Sequence, residues 1–384
     1  MIEKITIQNF KSLSPITIRL NKINCLIGMN GAGKTTILQA FDFVSHILMG
    51  DVQAWLDNRG WGASDLICKL RKETNITIGV VFRIESGDLL AWAAVFNRTH
   101  LRCAGEKVLL NHNIILHSKG QQYRINDRVW QDIAFIYEGS LLSQLKPSEL
   151  PVPINEFLDG MRKIRSLELL SPHLMRKRAR TNDQDIGAGG EKLSSYLHGI
   201  KGEARNRLID LLKKFYPNLM DYKVSSLRSG WKKLSVLEQF GEHRLETEAL
   251  HLSDGLLRIL AILAQADSDR SLILLDEIEN GINPEIIEKL VDTLVASQQQ
   301  IIVTTHSPMI LNYLEDEIAR QSVQFVYKTA EGYTRIRHFF EIPRIGEKLR
   351  WMGPGEAFVD TNLIELTEEC IALDVAEQSV EASK

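Results

Sequence analysis

Gly28-Met29-Asn30-Gly31-Ala32-Gly33-Lys34-Thr35, followed by Thr36, is the stretch on which the reading of the chain turns. Its spacing fits G-x-x-x-x-G-K-[ST], the pattern of a loop that wraps phosphate groups. The glycines allow a tight, partly left-handed path that turns successive backbone N–H groups onto a β-phosphate. Lys34 supplies a mobile positive charge for the β- and γ-phosphates, and the Thr35 hydroxyl can ligate Mg²⁺. The candidates for binding ATP here are Asn30, Gly31, Ala32, Gly33, Lys34, Thr35 and Thr36. Ile23-Asn24-Cys25-Leu26-Ile27, just before the loop, suits a buried strand. After it, Ile37, Phe41, Val44 and Leu48 fall on one helix face. That helix would aim its positive dipole end at the nucleotide.

A second set of motifs completes the chemistry. Leu252-Ser253-Asp254-Gly255-Leu256-Leu257-Arg258 opens an apolar helix, and Leu272-Ile273-Leu274-Leu275 runs into Asp276-Glu277. A buried strand ending in two acids is the Walker B pattern. Asp276 is placed to hold Mg²⁺, and Glu277 to polarise the water that attacks the γ-phosphate in line. Another buried strand, Ile301-Ile302-Val303-Thr304-Thr305, delivers His306, which can bond the γ-phosphate and sense its loss.

Bulk properties are those of a soluble globular chain: 384 residues, 44% apolar, 25% charged. A net charge of −3 gives no global basic footprint, so nucleic-acid binding would need a local patch. Cys25, Cys68, Cys103 and Cys370 lie far apart with no C-x-x-C pair, which suits a reducing compartment. Met1 to Thr6 carry no signal-peptide pattern, and the longest apolar stretches, such as Leu256 to Ala266, are too short to cross a bilayer. The expectation is a cytoplasmic protein with no membrane contact.

Alternation predicts strands at Ile5–Ile7, Ile16–Leu20, Ile76–Arg83 and Leu89–Phe96, continued by Val108–Leu116 and Gln122–Ile125 as an antiparallel sheet. Residues 51–75 read as a loop with a short helix. From Leu145 to about Leu234 the texture turns helical, with segments at Asn155–Leu170 and Leu193–Phe215, and this stretch reads as an inserted lobe. Thr181 to Gly190 is polar, glycine-rich and expected to be flexible. Arg176, Lys177, Arg178 and Arg180 invite DNA contact through phosphates, or form a solvated surface segment. Val323–Tyr327 and Tyr333–His338 read as a hairpin, followed by a tail rich in Glu.

The order P-loop, long insertion, L-S-x-G, D-E, strand–His resembles the ABC-type ATPases. More closely, Asn9-Phe10-Lys11-Ser12-Leu13, Leu252 to Arg258, Glu279-Asn280-Gly281 and Thr305-His306-Ser307-Pro308 resemble the RecF/OLD-like AAA ATP-binding family of bacteria. The resemblance implies an α/β fold: an ABC-type P-loop ATPase with an antiparallel β subdomain and an inserted helical lobe. Its segments would be 1–144 (P-loop and β subdomain), 145–234 (lobe), 235–342 (signature, Walker B and switch His) and 343–384 (acidic tail). It implies ATP and Mg²⁺ as cofactors, with Glu277, His306 and Lys34 catalytic. Ser253 and Gly255 would cap the ATP held by the other protomer of a head-to-tail homodimer. Thr35 and Asp276 would hold the metal. Glu138 stands where the family's Q-loop glutamine touches Mg²⁺, and Gln144 lies six residues on. Family members commonly serve anti-phage defence or DNA repair beside a TOPRIM-like nuclease. Asp183-Gln184-Asp185 and Asp267-Ser268-Asp269 have the letters of its acids but not the setting. The expected role is an ATP-hydrolysing dimeric switch that gates a separate effector nuclease. The alternatives are a stand-alone RecF-like repair ATPase and, more remotely, a transporter ATPase.

Overall fold

The computed structural model describes residues 1–180 and 185–382, with side chains through residue 377. In chain order the first elements are β1 (Ile2–Gln8), β2 (Ile16–Arg19), β3 (Ile23–Ile27), α1 (Lys34–Met49) and α2 (Val52–Arg59). They are followed by β4 (Asn75–Arg83), β5 (Leu89–Asn97), β6 (Arg102–Leu110), β7 (Asn113–Lys119), β8 (Gln122–Ile125), β9 (Gln131–Asp132) and α3 (Val152–Arg162). The middle of the chain holds β10 (Ile164–Ser166), α4 (Pro172–Met175), α5 (Leu193–Gly199), α6 (Gly202–Phe215), β11 (Leu219–Ser226), β12 (Lys232–Phe240) and β13 (His243–Glu248). Next come α7 (Asp254–Ala266), β14 (Leu272–Leu275), α8 (Pro284–Ala296), β15 (Gln300–Thr304) and α9 (Pro308–Asn312). The chain closes with α10 (Asp316–Ser322), β16 (Val323–Lys328), β17 (Thr334–His338), α11 (Pro343–Lys348), α12 (Pro354–Val359) and α13 (Leu363–Ala382).

Two compact units emerge, Met1–Ile164 with Glu315–Lys384, and Arg165–Leu314. Residues 145–234 divide at 164/165, and they contain strand β11 and the start of β12 as well as helices.

The first unit is built on an antiparallel meander in the order β2-β1-β4-β5-β6-β7-β8-β9. One face buries Ile78, Val80, Trp92, Phe96, Val108 and Leu116, the alternation of a half-buried sheet. The reading of Val108–Leu116 as one strand is corrected: Asn111 (φ 45°) and His112 (φ 73°) form a left-handed turn between β6 and β7. Asn111 tolerates such a path and is the one signal of the break, masked by the apolar residues on both flanks. In the same unit β3 pairs parallel to β16, and β16 antiparallel to β17. α3 docks on α1 through Ser45 Oγ to the Met161 carbonyl (2.8 Å) and Arg162 Nε to the Leu48 carbonyl (3.0 Å). It ends at Lys163, short of the helix expected to Leu170.

Residues 363–382 form α13, which buries Leu366 and Cys370. Arg337 of β17 donates to Asp374 and to Glu377, each at 2.7 Å, and Tyr327 Oη donates to Asp374 at 2.9 Å. Glu377 is thereby held below the usual carboxylate range.

In the second unit β14 and β15 run parallel, buried over their whole lengths, while β11, β12 and β13 form an antiparallel sheet. Leu193–Phe215 is two helices, interrupted at Ile200-Lys201, with Gly202 at φ 57° starting the second. Residues 181–184, in the stretch expected to be flexible, lie outside the described residues; beyond them Asp185 accepts from Arg165 at 2.6 Å. Among the described residues no helix is long and apolar enough to cross a membrane.

Candidate nucleotide-binding site

In the first unit the P-loop forms the strand–loop–helix expected of it. β3 is buried throughout and ends at Ile27; the loop turns through Gly28, Gly31 and Gly33, all at positive φ; α1 begins at Lys34. Gly33 is the residue before the helix, at φ 111° and ψ 16°, a conformation open to glycine alone. The Lys34 side chain is only 6% exposed, and its Nζ donates to the carbonyls of Gly28 (3.0 Å) and Met29 (3.1 Å). The cation is thus parked across the mouth of the loop, where arriving phosphates would replace the carbonyls as acceptors. Asn30 and Gly31 are exposed, Thr35 and Thr36 half-buried on the first turn. This cradle fits a triphosphate.

Thr334 of β17 braces the loop from behind. Its hydroxyl donates to the Ala32 carbonyl (2.8 Å) and meets Ser12 Oγ (2.8 Å), while its N–H donates to the Ser12 carbonyl (2.9 Å). Sequence reading missed Thr334, because 302 positions separate it from Ala32.

Glu138, the expected Q-loop contact to the metal, lies away from the P-loop. Its carboxylate accepts the N–H of Gln53 and so caps the first turn of α2. The next residues, Gly139 and Ser140, pack on the far end of α1, where Ser140 N–H donates to the Ile47 carbonyl at 2.8 Å. Ile47 lies twelve positions along α1 from Thr35, a rise of roughly 18 Å, well beyond a glutamate's reach. Gln144 lies at the same far end, its amide on Ser143 Oγ at 3.0 Å and beside Gly50. Glu138→Ala should leave the Mg²⁺ dependence of nucleotide binding unchanged and cost about 1 kcal/mol of stability through the lost cap. A Mg²⁺ titration of nucleotide affinity together with a thermal melt checks both halves.

In the second unit the Walker B strand and the strand that leads to His306 lie side by side. Thr304, fully buried at the end of β15, donates to Asp276 Oδ1 (2.5 Å) and accepts the Glu277 N–H (2.8 Å). One hydroxyl therefore orients both acids, a role its place inside an apolar strand gave no sign of. Glu277 is exposed and sits at φ 45°, a left-handed conformation that costs a non-glycine residue about 1–2 kcal/mol. Asn280 Nδ2 lies 3.4 Å from its carboxylate. His306 is exposed just past β15, and its backbone N–H donates to Glu279 Oε1 at 2.8 Å. Beside β14, the Leu167 N–H donates to the Leu274 carbonyl at 2.8 Å, so the chain leaving β10 carries Glu168 along the strand that ends in Asp276.

The signature turn is open to solvent. Ser253 is the N-cap of α7, its hydroxyl accepting from Leu256 N–H at 3.3 Å. A Cβ on Gly255 would lie 2.8 Å from the Gly281 carbonyl, so two motifs that are separate in sequence touch here. Arg258 packs against Gly281, and burial lowers its pKa against the opposing pull of Asp254 and Glu277. Arg176 donates to Asp254 (2.5 Å) and to the Leu252 carbonyl (2.7 Å), and Arg178 to Glu248 (2.8 Å). Half of the basic cluster read as a DNA contact is thus neutralised by carboxylates of its own unit.

Fold and motifs define an ABC-type P-loop ATPase. Its architecture matches the Smc head domain of Pyrococcus furiosus bound to the C-terminal domain of ScpA (TM-score 0.53, 13% identity, 91% of this chain, 99% of that one). It also matches an Smc head bound to the C-winged helix domain of ScpA (TM-score 0.51, 16% identity, 88% and 96%). At such identities the likeness is one of fold. The family model described as "AAA domain, putative AbiEii toxin, Type IV TA system" matches residues 121–312, half of the chain, and the "AAA ATPase domain" model matches residues 1–125. The chain belongs to this AAA ATPase family, in its RecF/OLD-like class. Short segments match curated relatives. The OLD nuclease of Thermus scotoductus is 42% identical over 52 residues, 14% of this chain and 9% of its own. The DNA replication and repair protein RecF of Porphyromonas gingivalis is 48% identical over 46 residues (12% and 13%). The DNA double-strand break repair Rad50 ATPase of Methanopyrus kandleri is 37% identical over 84 residues (19% and 10%). The matches span about a tenth of those relatives' lengths.

Proposed function

We propose that the chain binds ATP with Mg²⁺, hydrolyses it in a head-to-tail homodimer in the cytoplasm, and uses the cycle to gate a separate effector, a nuclease of an anti-phage defence system. The observation that carries the ATP half is Lys34, buried and parked on the P-loop's own carbonyls within a cradle sized for phosphates. Thr35 and Asp276 would hold the magnesium ion, which supplies charge neutralisation on the phosphates. Glu277 would take the proton of the attacking water, and His306 would sense the γ-phosphate. The dimer half rests on the turn Ser253–Gly255, exposed at Ser253 and Asp254, at the start of a 13-residue helix whose N-terminus favours an anion. The effector half rests on the short OLD-nuclease match. A repair ATPase of the RecF kind is the second reading, favoured by the RecF match.

Light-scattering mass with and without ATP tests the dimer. Wild type should double in mass on ATP binding. Ser253→Arg should bind ATP as well as wild type yet remain monomeric and lose hydrolysis at least about 100-fold, since an interfacial donor and the helix cap are both gone. A mass unaffected by ATP, with full activity in Ser253→Arg, would sink the composite-site model. Co-purification of a nuclease subunit with ATP-loaded protein from its host separates the defence reading from the repair one, which predicts DNA and no protein partner.

A further inference from the structure

Strands β4 to β8 contain a single carboxylate, Glu106, and it points inward. There it accepts from Trp92 Nε1 (2.9 Å) and from the Leu141 N–H (2.6 Å), and burial pushes its pKa up. The opposite face is free of acid along these five strands; at its edge β9 brings one carboxylate, Asp132, which accepts from Gln122 Nε2 at 2.8 Å. Register places Thr17, Thr6, Gly79, Ala93, Lys107, His117 and Arg124 directly across from one another, strand by strand. One half of that row is floored by small residues; the other half sets Lys107 and Arg124 on either side of His117. Lys119 joins from the next row, opposite Gly105.

Like charges on neighbouring strands repel, and here Lys107 on β6, Lys119 on β7 and Arg124 on β8 crowd one face at strand spacings of about 5 Å. None of the ion pairs among the described residues involves Lys107, Lys119 or Arg124. Arg124 Nε is buried with no acceptor, and the pKa of His117 is lowered by burial and by Lys107, Arg124 and Lys119. Trp130, 37% exposed, stands 5.3 Å from the Arg124 guanidinium and 5.3 Å from the His117 ring. A shallow cavity of about 410 Å³ lies on this face, lined by Thr77, Ala93, Val95, Lys107, His117 and Lys119.

We propose that this face binds a single strand of nucleic acid, with phosphates on Lys107, Lys119 and Arg124 and a base stacked at Trp130. An uncompensated row of cations calls for a polyanion. The small-residue floor lets a bulky backbone approach. An exposed indole beside the cations supplies the stacking platform that unpaired bases use and duplex bases, already stacked, do not. The site lies on the meander, away from the basic cluster at Arg176–Arg180, and is additional to the ATP chemistry proposed above.

The test is fluorescence anisotropy of the full chain, without nucleotide, on a labelled 20-base oligothymidine. Lys107→Ala/Lys119→Ala should weaken binding at least about tenfold and flatten the log K against log salt slope by about 1.4, two single-strand phosphate contacts' worth. Trp130→Ala should weaken binding roughly 5- to 100-fold and leave the slope unchanged. Circular dichroism melts confirm that the variants fold. Unchanged affinity in both variants would overturn the proposal, as would tighter binding of a 20-base-pair duplex or a loss seen only with Lys177→Ala/Arg180→Ala. Because ATP is left out, failure here leaves the switch reading standing, and a failed switch leaves this site standing.

Discussion

Glu277→Gln should bind ATP with wild-type affinity, remain locked in the ATP-bound dimer, and hydrolyse it about 100- to 10,000-fold more slowly, the range spanned by a lost general base. The physical case is local. Glu277 follows the buried strand β14, and its N–H is fixed by Thr304 while its side chain stays exposed. An amide has the same size, so the left-handed turn at φ 45° is as strained as before and the backbone has no new reason to move. What is lost is a lone pair that takes a proton. Affinity should survive because, on the proposed reading, the phosphates are held by the P-loop of the first unit, where Lys34 Nζ waits on the carbonyls of Gly28 and Met29. Quenched-flow hydrolysis and equilibrium binding separate the two quantities. A variant that turned over at the wild-type rate would move the base elsewhere, with Glu279 and Glu168 the acids to examine next.

What could be read from the amino-acid sequence was local. The P-loop, with its strand before and helix after, spans 27 consecutive residues from Ile23 to Met49, and short-range spacing specifies all of it. The same holds for β14 with Asp276-Glu277 and for the Ser253 cap, whose partner Leu256 is three residues away. The errors arose where a partner lies far off in sequence. Glu138 has the neighbourhood of a metal-contacting residue, yet only the packing of Ser140 on Ile47 shows that it sits at the wrong end of α1. The glutamate-rich terminus reads only as an acidic tail because nothing nearby announces Arg337, which draws Asp374 and Glu377 onto β17. Arg176 and Arg178 looked free because their acids, Asp254 and Glu248, lie 78 and 70 positions away. Lys107, His117 and Arg124 show no cluster in sequence; strand register alone gathers them.

Gly33→Ala should abolish useful nucleotide binding, with affinity down more than about 100-fold, or roughly 2.7 kcal/mol. Two separate costs act at this position. The backbone stands at φ 111°, outside even the small left-handed region that alanine tolerates, so the torsional cost is of order 1–3 kcal/mol. An added Cβ would also lie 2.2 Å from Thr334 Oγ1 and 2.9 Å from its Cγ2. Thr334 cannot swing aside, because it is fully buried and tied to Ala32 and Ser12. The loop must therefore give way, and the residue that moves is the one from which α1 starts, carrying the N–H groups, Lys34 and Thr35 with it. Gly33→Ala/Thr334→Ala tells the costs apart: it removes the collision and keeps the torsion. The double variant should recover part of the lost thermal stability while nucleotide affinity stays well below wild type. Titration calorimetry and melting curves on the two variants read both numbers. Full recovery of binding in the double variant would mean that the collision alone mattered and that the loop's left-handed path can be remade with a side chain. A single variant that binds ATP normally would mean that this loop is not where the phosphates sit.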